Sequence, residues 1–555
     1  MEVKSGREMG APRISALVRE LLSQRGIADD GAIAAFLYPP YETSLADPFL
    51  MTDMNKAVKR ILQAIKAHEK VAVYGDYDID GIVSTTLMLE ILQQNGLDPI
   101  TYIPDRYDEG YGIHTSALQE LKDQGVTLVI SVDCGITSVD EAGWARANGL
   151  DLIITDHHDV PAELPKAVAV VNPRQLGDAY PFKDLAGVGV AFAVARALQQ
   201  RTGIPATGQE KWLLDLVALG TVCDVMPLHG ENRVLTKFGL LVLRKTRRVG
   251  LVALAQSAGL ELSQAKAYHL GFVFGPRLNA AGRLENAAYS LELMLTKDPV
   301  EAQALAFQLE EMNHQRRLEQ DRIVQEADAI AETYGTDSVL VLADTSWPHG
   351  VVGIAASKLA EKWQKPTLIL QILGETAKGS GRSAAGYNLI EGLRSRADLF
   401  TRLGGHHFAA GFTLPVENLD ELRTALNAHY QENSDQLTPR TQREADIEIS
   451  DPTTINWELY QNLELLEPYG HSNPEPAFGL NKLKVIEATV VGKTKTHLKL
   501  KLASEAGTIH EAIGFGLVEK YPNIKPGQVI DVLCYIQKND FNDRSNLQLV
   551  VISVQ

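Results

Sequence analysis

The stretch VYGDYDIDGIVS, residues 73–84, places Asp76, Asp78 and Asp80 at alternating positions directly after an apolar run. Three like charges this close repel unless they are protonated or neutralised, and a bound divalent cation is the usual neutraliser. Further along, Asp133 ends the run TLVISVD, Asp156-His157-His158 ends LDLIITD, and Asp224 follows the apolar helical stretch WLLDLVALG. Four carboxylates, Asp78, Asp80, Asp133 and Asp224, with one imidazole, His157, are too oxygen-rich for a structural zinc site and too nitrogen-bearing for a typical calcium cage. Mn2+ or Mg2+ suits such a set. Five groups exceed what one catalytic ion with open positions needs, so two ions sharing a bridging carboxylate are the economical expectation. Each signal is weak alone, an Asp-His-His being more often an ordinary loop. Their common place at the ends of apolar runs carries the inference.

The elements that must position these groups can be read from periodicity. From 71 to 156, short β-rich runs (VAVYGD, ITYIPDR, TLVISVD, LDLIITD) alternate with helical ones (IVSTTLMLEILQQNG, SALQELKDQG), which predicts a parallel sheet covered on both faces. Ligands of such open sheets bind beyond the carboxyl ends of the β-strands, where the aspartates would gather. From 186 to 291 the pattern is mostly helical, with breaks expected at GTVCDVMPLHG and GFVFGPRLNAAGR. Val300 to Tyr334 contains no Gly or Pro and predicts one long helix, a spacer between domains. A second α/β unit follows, DSVLVLAD, VVGIAASKLAEKW and PTLILQIL, with glycine-rich GSGRSAAG and GGHHFAAGF as backbone that must approach something closely.

After about residue 445, five turn-punctuated β-strands predict a small barrel of the oligonucleotide-binding type. In KTKTHLKLKL the period of two puts Lys493, Lys495, His497, Lys499 and Lys501 on one face and Leu498, Leu500 and Leu502 on the other. Such a cationic face is either a solvated one that resists edge pairing or a track for a polyanion.

Composition bounds the rest. The 555 residues leave room for about three or four domains. No apolar stretch approaches a membrane span and MEVKSGREMGAP lacks a signal core, so a cytoplasmic protein without a membrane partner is expected. Three scattered cysteines, Cys134, Cys223 and Cys534, fit a reducing compartment. The net charge of -17 argues against a protein that coats nucleic acid, so any polyanion must meet a local basic patch.

GDYDIDGIVS, SVDCG, TDHHD and GTVCDVMPL resemble the four ordered motifs of the DHH phosphoesterase superfamily, and GPRLNAAGR, GSGRS and GGHHFAAGF resemble its RecJ branch. The resemblance runs over roughly residues 50–555. It implies a DHH catalytic domain at 50–297 after an N-terminal segment at 1–49, a connecting helix at 298–334, a DHH-associated domain at 335–440 and an OB-type domain at 441–555. Metal ligands would be Asp78, Asp80, Asp133 as the bridge, His157 and Asp224, with Asp76 a further motif aspartate. His158 would contact the scissile phosphate. Arg277, Asn279, Arg283, Ser380, Arg382 and His406 fall in segments expected to handle phosphate, and Arg106 and Tyr111 near the 5′ end of the bound DNA strand. His349 in SWPHGVVGI stands one residue later than the family's Trp-His-x-Gly pattern and is left outside the site.

The implied activity is hydrolysis of single-stranded DNA from its 5′ end with release of 5′-mononucleotides, by a monomer working in DNA repair and recombination with a helicase and a single-strand-binding protein. Two alternatives stay open: a phosphodiesterase of short oligonucleotides, and a DNA-binding scaffold that has lost catalysis.

Overall fold

The computed structural model describes residues 14–106, 109–433, 443–541 and 544–555. The chain forms two compact units. One comprises Pro48–Asp224 and Gly239–Gln442, the other Met1–Asp47, Val225–Phe238 and Arg443–Gln555. The first thirteen residues and the boundary expected at 440/441 lie outside the described residues.

The first unit opens with a five-stranded sheet, β1 (Val71–Tyr74), β2 (Ile100–Tyr102), β3 (Leu128–Val132), β4 (Asp151–Thr155) and β5 (Ala169–Val171). All pairings are parallel and the order is β2-β1-β3-β4-β5. The chain leaves β1 toward one edge and returns through β3 toward the other, so the crevice of the fold opens between the carboxyl ends of β1 and β3. Every residue of β1 and β3 is buried, as expected of a sheet covered on both faces. Helices Ile79–Gln94, Gly187–Thr202 and Leu214–Cys223 pack together beside it.

GFVFGPRLNAAGR is not a break. It forms a π-helical turn, Leu270–Phe274, that runs into the helix Gly275–Leu284. Pro276 falls in the first turn of that helix, directly after the π-helical turn.

The long helix spans Pro299–Thr333, but it is more than a spacer. Its first half packs on helices Val249–Ser257 and Gly275–Leu284, and Ile323, Ala327 and Ala331 enter the core of the next sheet with Leu340, Leu342 and Trp347. That sheet holds β6 (Leu340–Asp344), β7 (Thr367–Leu373), β8 (Thr376–Arg382), β9 (Arg402–Gly405) and β10 (Ala409–Pro415) in the order β6-β7-β8-β10-β9. β6 and β7 are parallel and the other pairs antiparallel. GSGR therefore lies on a β-strand and not in a loop. A Cβ at Gly379 would stand 2.5 Å from Leu370 Cγ, so the glycines there admit close packing.

In the second unit, β11 (Ile447–Glu448), β12 (Phe478–Val491), β13 (His497–Ala503), β14 (Ile509–Gly514), β15 (Val529–Phe541) and β16 (Arg544–Val554) form one sheet. The β12–β15 pairing closes five of the strands into a barrel, and β14–β16 is its parallel pair. Leu498, Leu500 and Leu502 point inward and Lys499 and Lys501 outward, as the period of two requires. Lys493 and Lys495 do not continue that face, because β13 begins at His497 and the two lysines lie in the preceding turn. The N-terminal helices Ala16–Gln24 and Asp30–Leu37 do not form a separate segment: Val18, Leu21, Leu22, Ile33 and Leu37 belong to the barrel's core.

Candidate functional site

β1 ends in an abrupt reversal into the helix Ile79–Gln94. Asp78 caps that helix, accepting the Gly81 N–H at 3.1 Å, and Asp80 sits in its first turn. Asp80 accepts two backbone N–H groups at the start of the Gly187–Thr202 helix, Gly187 at 2.6 Å and Val188 at 3.0 Å. The partial positive charge of that helix terminus favours an anion. Burial and the charge of Asp78 nevertheless push the Asp80 carboxyl up to about 7.

Asp133 leaves β3 with a φ of 60°, a left-handed conformation uncommon for a residue with a Cβ and characteristic of functional sites. Its carboxylate fills the space that a side chain at Gly187 would need, a Cβ there standing 2.5 Å from Asp133 Oδ1. A Cβ at Gly220 would likewise stand 2.5 Å from Asp80 Oδ1. Glycine at both places lets the neighbouring helices approach the acidic cluster.

His157 Nε2 lies 3.2 Å from Asp133 Oδ1, 3.6 Å from Asp224 Oδ2 and 3.9 Å from Asp80 Oδ2. Three groups each bring their ligand atoms within 4.8 Å: Asp76, Asp78 and Asp133; Asp80, His157 and Asp224; Asp133, His157 and His158. Asp133 is shared by the first and third, and His157 ties the second to the third. Burial and neighbouring carboxylates hold Asp76, Asp133 and Asp224 well above the usual carboxyl range. Burial, followed by His158, lowers His157 to about 3, so its ring is neutral and able to donate a lone pair at pH 7.

These residues fit a divalent metal. Asp76 Oδ1, Asp133 Oδ1 and His157 Nε2 are buried without a hydrogen-bond partner, which is costly unless something else satisfies them. Oxygen donors with one imidazole are the chemistry of Mn2+ or Mg2+.

His158 is oriented differently. Its Nδ1 lies 2.7 Å from Asp156 Oδ1 and 3.0 Å from the Tyr111 hydroxyl. Asp156 is fully buried and also accepts the backbone N–H groups of His157, His158 and Ile136. Burial alone would lower His158, but the hydrogen bond and charge of Asp156 overcome it and raise the imidazole to about 9. The same contact brings the Asp156 carboxyl below its ordinary value against the opposing effect of burial. Tyr111 is thus placed on His158.

Cationic groups crowd the same unit. Arg106 lies 4.6 Å over the Tyr77 ring, and Arg283 donates to the Gly350 carbonyl at 3.1 Å. Burial, then the charges of Arg106, Arg316 and Arg382, lower Arg283 to about 10. Arg382 donates to Ser380 Oγ at 2.9 Å, and Arg316 donates to the side chains of Gln320 and Asn313. His349, left out of the site above, lies among these charges: burial, then Lys378 and Arg106, lower it to about 4.

Other expected residues stand apart. Arg277 pairs with Glu310 and donates to the Val273 carbonyl, and Asn279 is half-buried on the same helix. His406 is exposed in the turn between β9 and β10, 3.6 Å from Asp159. In the second unit Lys499 is exposed, while Lys501 pairs with Glu487 at 2.9 Å. Sequence reasoning did not select Asp156 as the brace of His158, Arg316, or the two glycines against the carboxylates. The adjacency of Asp156 to the histidines was the signal available for the first.

A parallel sheet whose switch point gathers five aspartates and a neutral histidine, beside crowded guanidinium groups, defines a metal-dependent phosphoesterase of the DHH type. Family models match accordingly: the DHH family N-terminal domain at residues 70–221, the DHHA1 domain at 336–432 and the RecJ OB domain at 445–553. The chain is 38% identical over 541 residues to the single-stranded-DNA-specific exonuclease RecJ of Bacillus subtilis (strain 168), covering 97% of this chain and 68% of that protein. It also resembles the crystal structure of RecJ from Thermus thermophilus in complex with Mn2+, with TM-score 0.81 and 29% identity over 98% of this chain and 78% of that one. The Mg2+ complex from the same organism gives TM-score 0.75 and 27% identity, covering 98% and 77%. The chain belongs to the RecJ family.

Proposed function

We propose that this protein is a Mn2+- or Mg2+-dependent exonuclease that hydrolyses single-stranded DNA from the 5′ end, releases 5′-mononucleotides and acts in DNA repair and recombination. The close association of a buried carboxylate–histidine cluster with crowded arginines carries this reading. A single unit offers ligands for cations and donors for a phosphodiester, and the named activity of the relatives supports the choice of substrate.

Asp76, Asp78, Asp80, Asp133, His157 and Asp224 would hold the cations, Asp133 and His157 each belonging to two of the three ligand groups. When bound, the cations supply Lewis acidity to the phosphate oxygens and make water a stronger acid at neutral pH. His158, cationic and braced by Asp156 and Tyr111, offsets charge on the scissile phosphate. Arg106, Arg283, Ser380 and Arg382 receive the phosphates of the entering 5′ end, where a planar guanidinium can bind bidentately. Arg277 reaches phosphate only after it leaves Glu310. His406, Asn279 and the barrel lysines, Lys499 foremost, guide the remainder of the DNA strand.

The domains are assigned as an N-terminal segment at 1–49, then 50–297, 298–334, 335–440 and 441–555. The protein works as a monomer in the cytoplasm, with a helicase and a single-strand-binding protein to supply its substrate. Three free cysteines support a reducing compartment, and no helix among the described residues is long and apolar enough to cross a membrane.

The test is digestion, with Mn2+, of long single strands labelled at either end and of matched blunt duplexes. Early release of 5′ label from single strands is expected. Release of 3′ label first, or equal degradation of duplex, would overturn the proposal.

A further inference from the structure

Tyr268 and Phe272 are 63% and 68% exposed and stack on each other with ring centroids 4.8 Å apart and planes 21° from parallel. Single exposed aromatics need no explanation, but a stacked pair presented to water does. The pair is rigidly mounted. Tyr268 lies in a short helical turn, Ala267–His269, and Phe272 in the π-helical turn Leu270–Phe274, whose two end residues are buried.

The mounting packs on the residues that precede Asp224. Cys223 Sγ donates to the Leu270 carbonyl at 3.4 Å, and a Cβ at Gly271 would rest 3.7 Å from Val222 Cγ1. Val222 and Cys223 immediately precede Asp224. In the other direction, Pro276 and Asn279 continue from Phe272 at helical spacing and are half-buried. One partly exposed strip thus runs from two aromatic rings to an amide, along an element anchored behind a metal ligand.

We propose that Tyr268 and Phe272 form a stacking platform for nucleobases of the DNA strand close to the scissile phosphate, an inference that rests on the single-strand reading above. Flat apolar rings suit such a substrate because every base presents a π-face, so the platform gives affinity without sequence preference. Asn279 then supplies a hydrogen bond to the backbone or a base edge.

The test is steady-state hydrolysis, with Mn2+, of oligonucleotides carrying one abasic unit at successive positions from the 5′ end. It compares wild type, Tyr268→Ala/Phe272→Ala, Phe272→Leu and Tyr268→Phe. The double alanine variant is expected to raise KM about tenfold or more, with kcat changed far less. An abasic unit at the stacked position should cost wild type a similar factor and cost the double variant almost nothing further. Tyr268→Phe should behave as wild type and Phe272→Leu should resemble an alanine variant.

Wild type active on single strands but with variants unchanged, with abasic and alanine effects that multiply, or with Leu rescuing fully, overturns the platform alone. Wild type inactive on single strands overturns both readings. Exposed rings contribute little to folding, so Tm should hold. Should the double variant fail to fold, Phe272→Leu against the abasic series decides between the same outcomes.

Discussion

Adding a single methyl group at Gly187 should damage metal binding without replacing a ligand. The Cβ of Gly187→Ala would stand 2.5 Å from Asp133 Oδ1, 2.6 Å from its Cβ and 2.7 Å from its Cγ, about 0.9 Å short of the 3.4 Å at which contact becomes ordinary. Neither partner can yield cheaply. Asp133 is already in a left-handed conformation, and the Gly187 N–H is bound to Asp80 Oδ2 at 2.6 Å, so moving the helix drags a second carboxylate. Overpacking of this kind costs about 1–3 kcal/mol of stability, and disturbing the support of a metal ligand typically costs about 10–100-fold in affinity. Gly392→Ala is the control: its Cβ would stand 2.0 Å from the Tyr387 hydroxyl in the core of the second sheet, a clash remote from the carboxylates. Calorimetric Mn2+ titration with parallel thermal unfolding separates the two. Gly187→Ala should lose both affinity and stability, and Gly392→Ala stability alone. A folded Gly187→Ala protein that binds Mn2+ as wild type does would refute the claim that close helix approach positions Asp133.

Asp133→Ala should remove hydrolysis while single-strand binding, measured by fluorescence anisotropy, survives, because the shared ligand is lost and the cationic surfaces remain. Mn2+ affinity should fall as pH drops from about 8 to 6: Asp80 titrates near 7, so protons compete below that value, and each proton displaced contributes roughly tenfold per pH unit. Calorimetry in buffers of different ionisation enthalpy should reveal that proton release. On the barrel, Lys499→Gln should reduce the salt dependence of binding to long single strands by roughly 0.7. Lys501→Gln should reduce it less, since Glu487 already neutralises that lysine at 2.9 Å.

Where the sequence was informative, local periodicity coincided with long-range placement. Apolar runs ending in Asp76, Asp133 and Asp156 are parallel β-strands, and a parallel sheet brings their carboxyl ends to one edge whatever the details of the connections. Glycine was the main source of misreading. GSGR looked like a phosphate loop because glycine is permissive in turns, yet in β8 it serves close packing of side chains. Gly187 and Gly220 carried no local signal, since their neighbours Asp133 and Asp80 are distant in sequence. Lys493 and Lys495 satisfied the alternation of β13 on paper but fell outside it, as alternation alone does not mark where a strand begins. The pairing of Arg277 with Glu310 depends on how the long helix packs, which no local pattern encodes.

The acidic and cationic clusters are each unfavourable alone, and their proximity explains how one fold tolerates both. The carboxylates raise one another's pKa, while Arg283 is lowered by burial and three other guanidinium groups. Partial relief comes from each other: the charge of Arg106 lowers Asp76, and that of Asp78 raises Arg283. The remaining imbalance is resolved by ligands of opposite sign, cations on one side and a phosphodiester on the other. Cations also weaken the repulsion between the carboxylates and an incoming phosphate, so each ligand favours the other. By linkage that coupling is reciprocal, and a DNA strand that binds better with Mn2+ must tighten Mn2+ by the same factor.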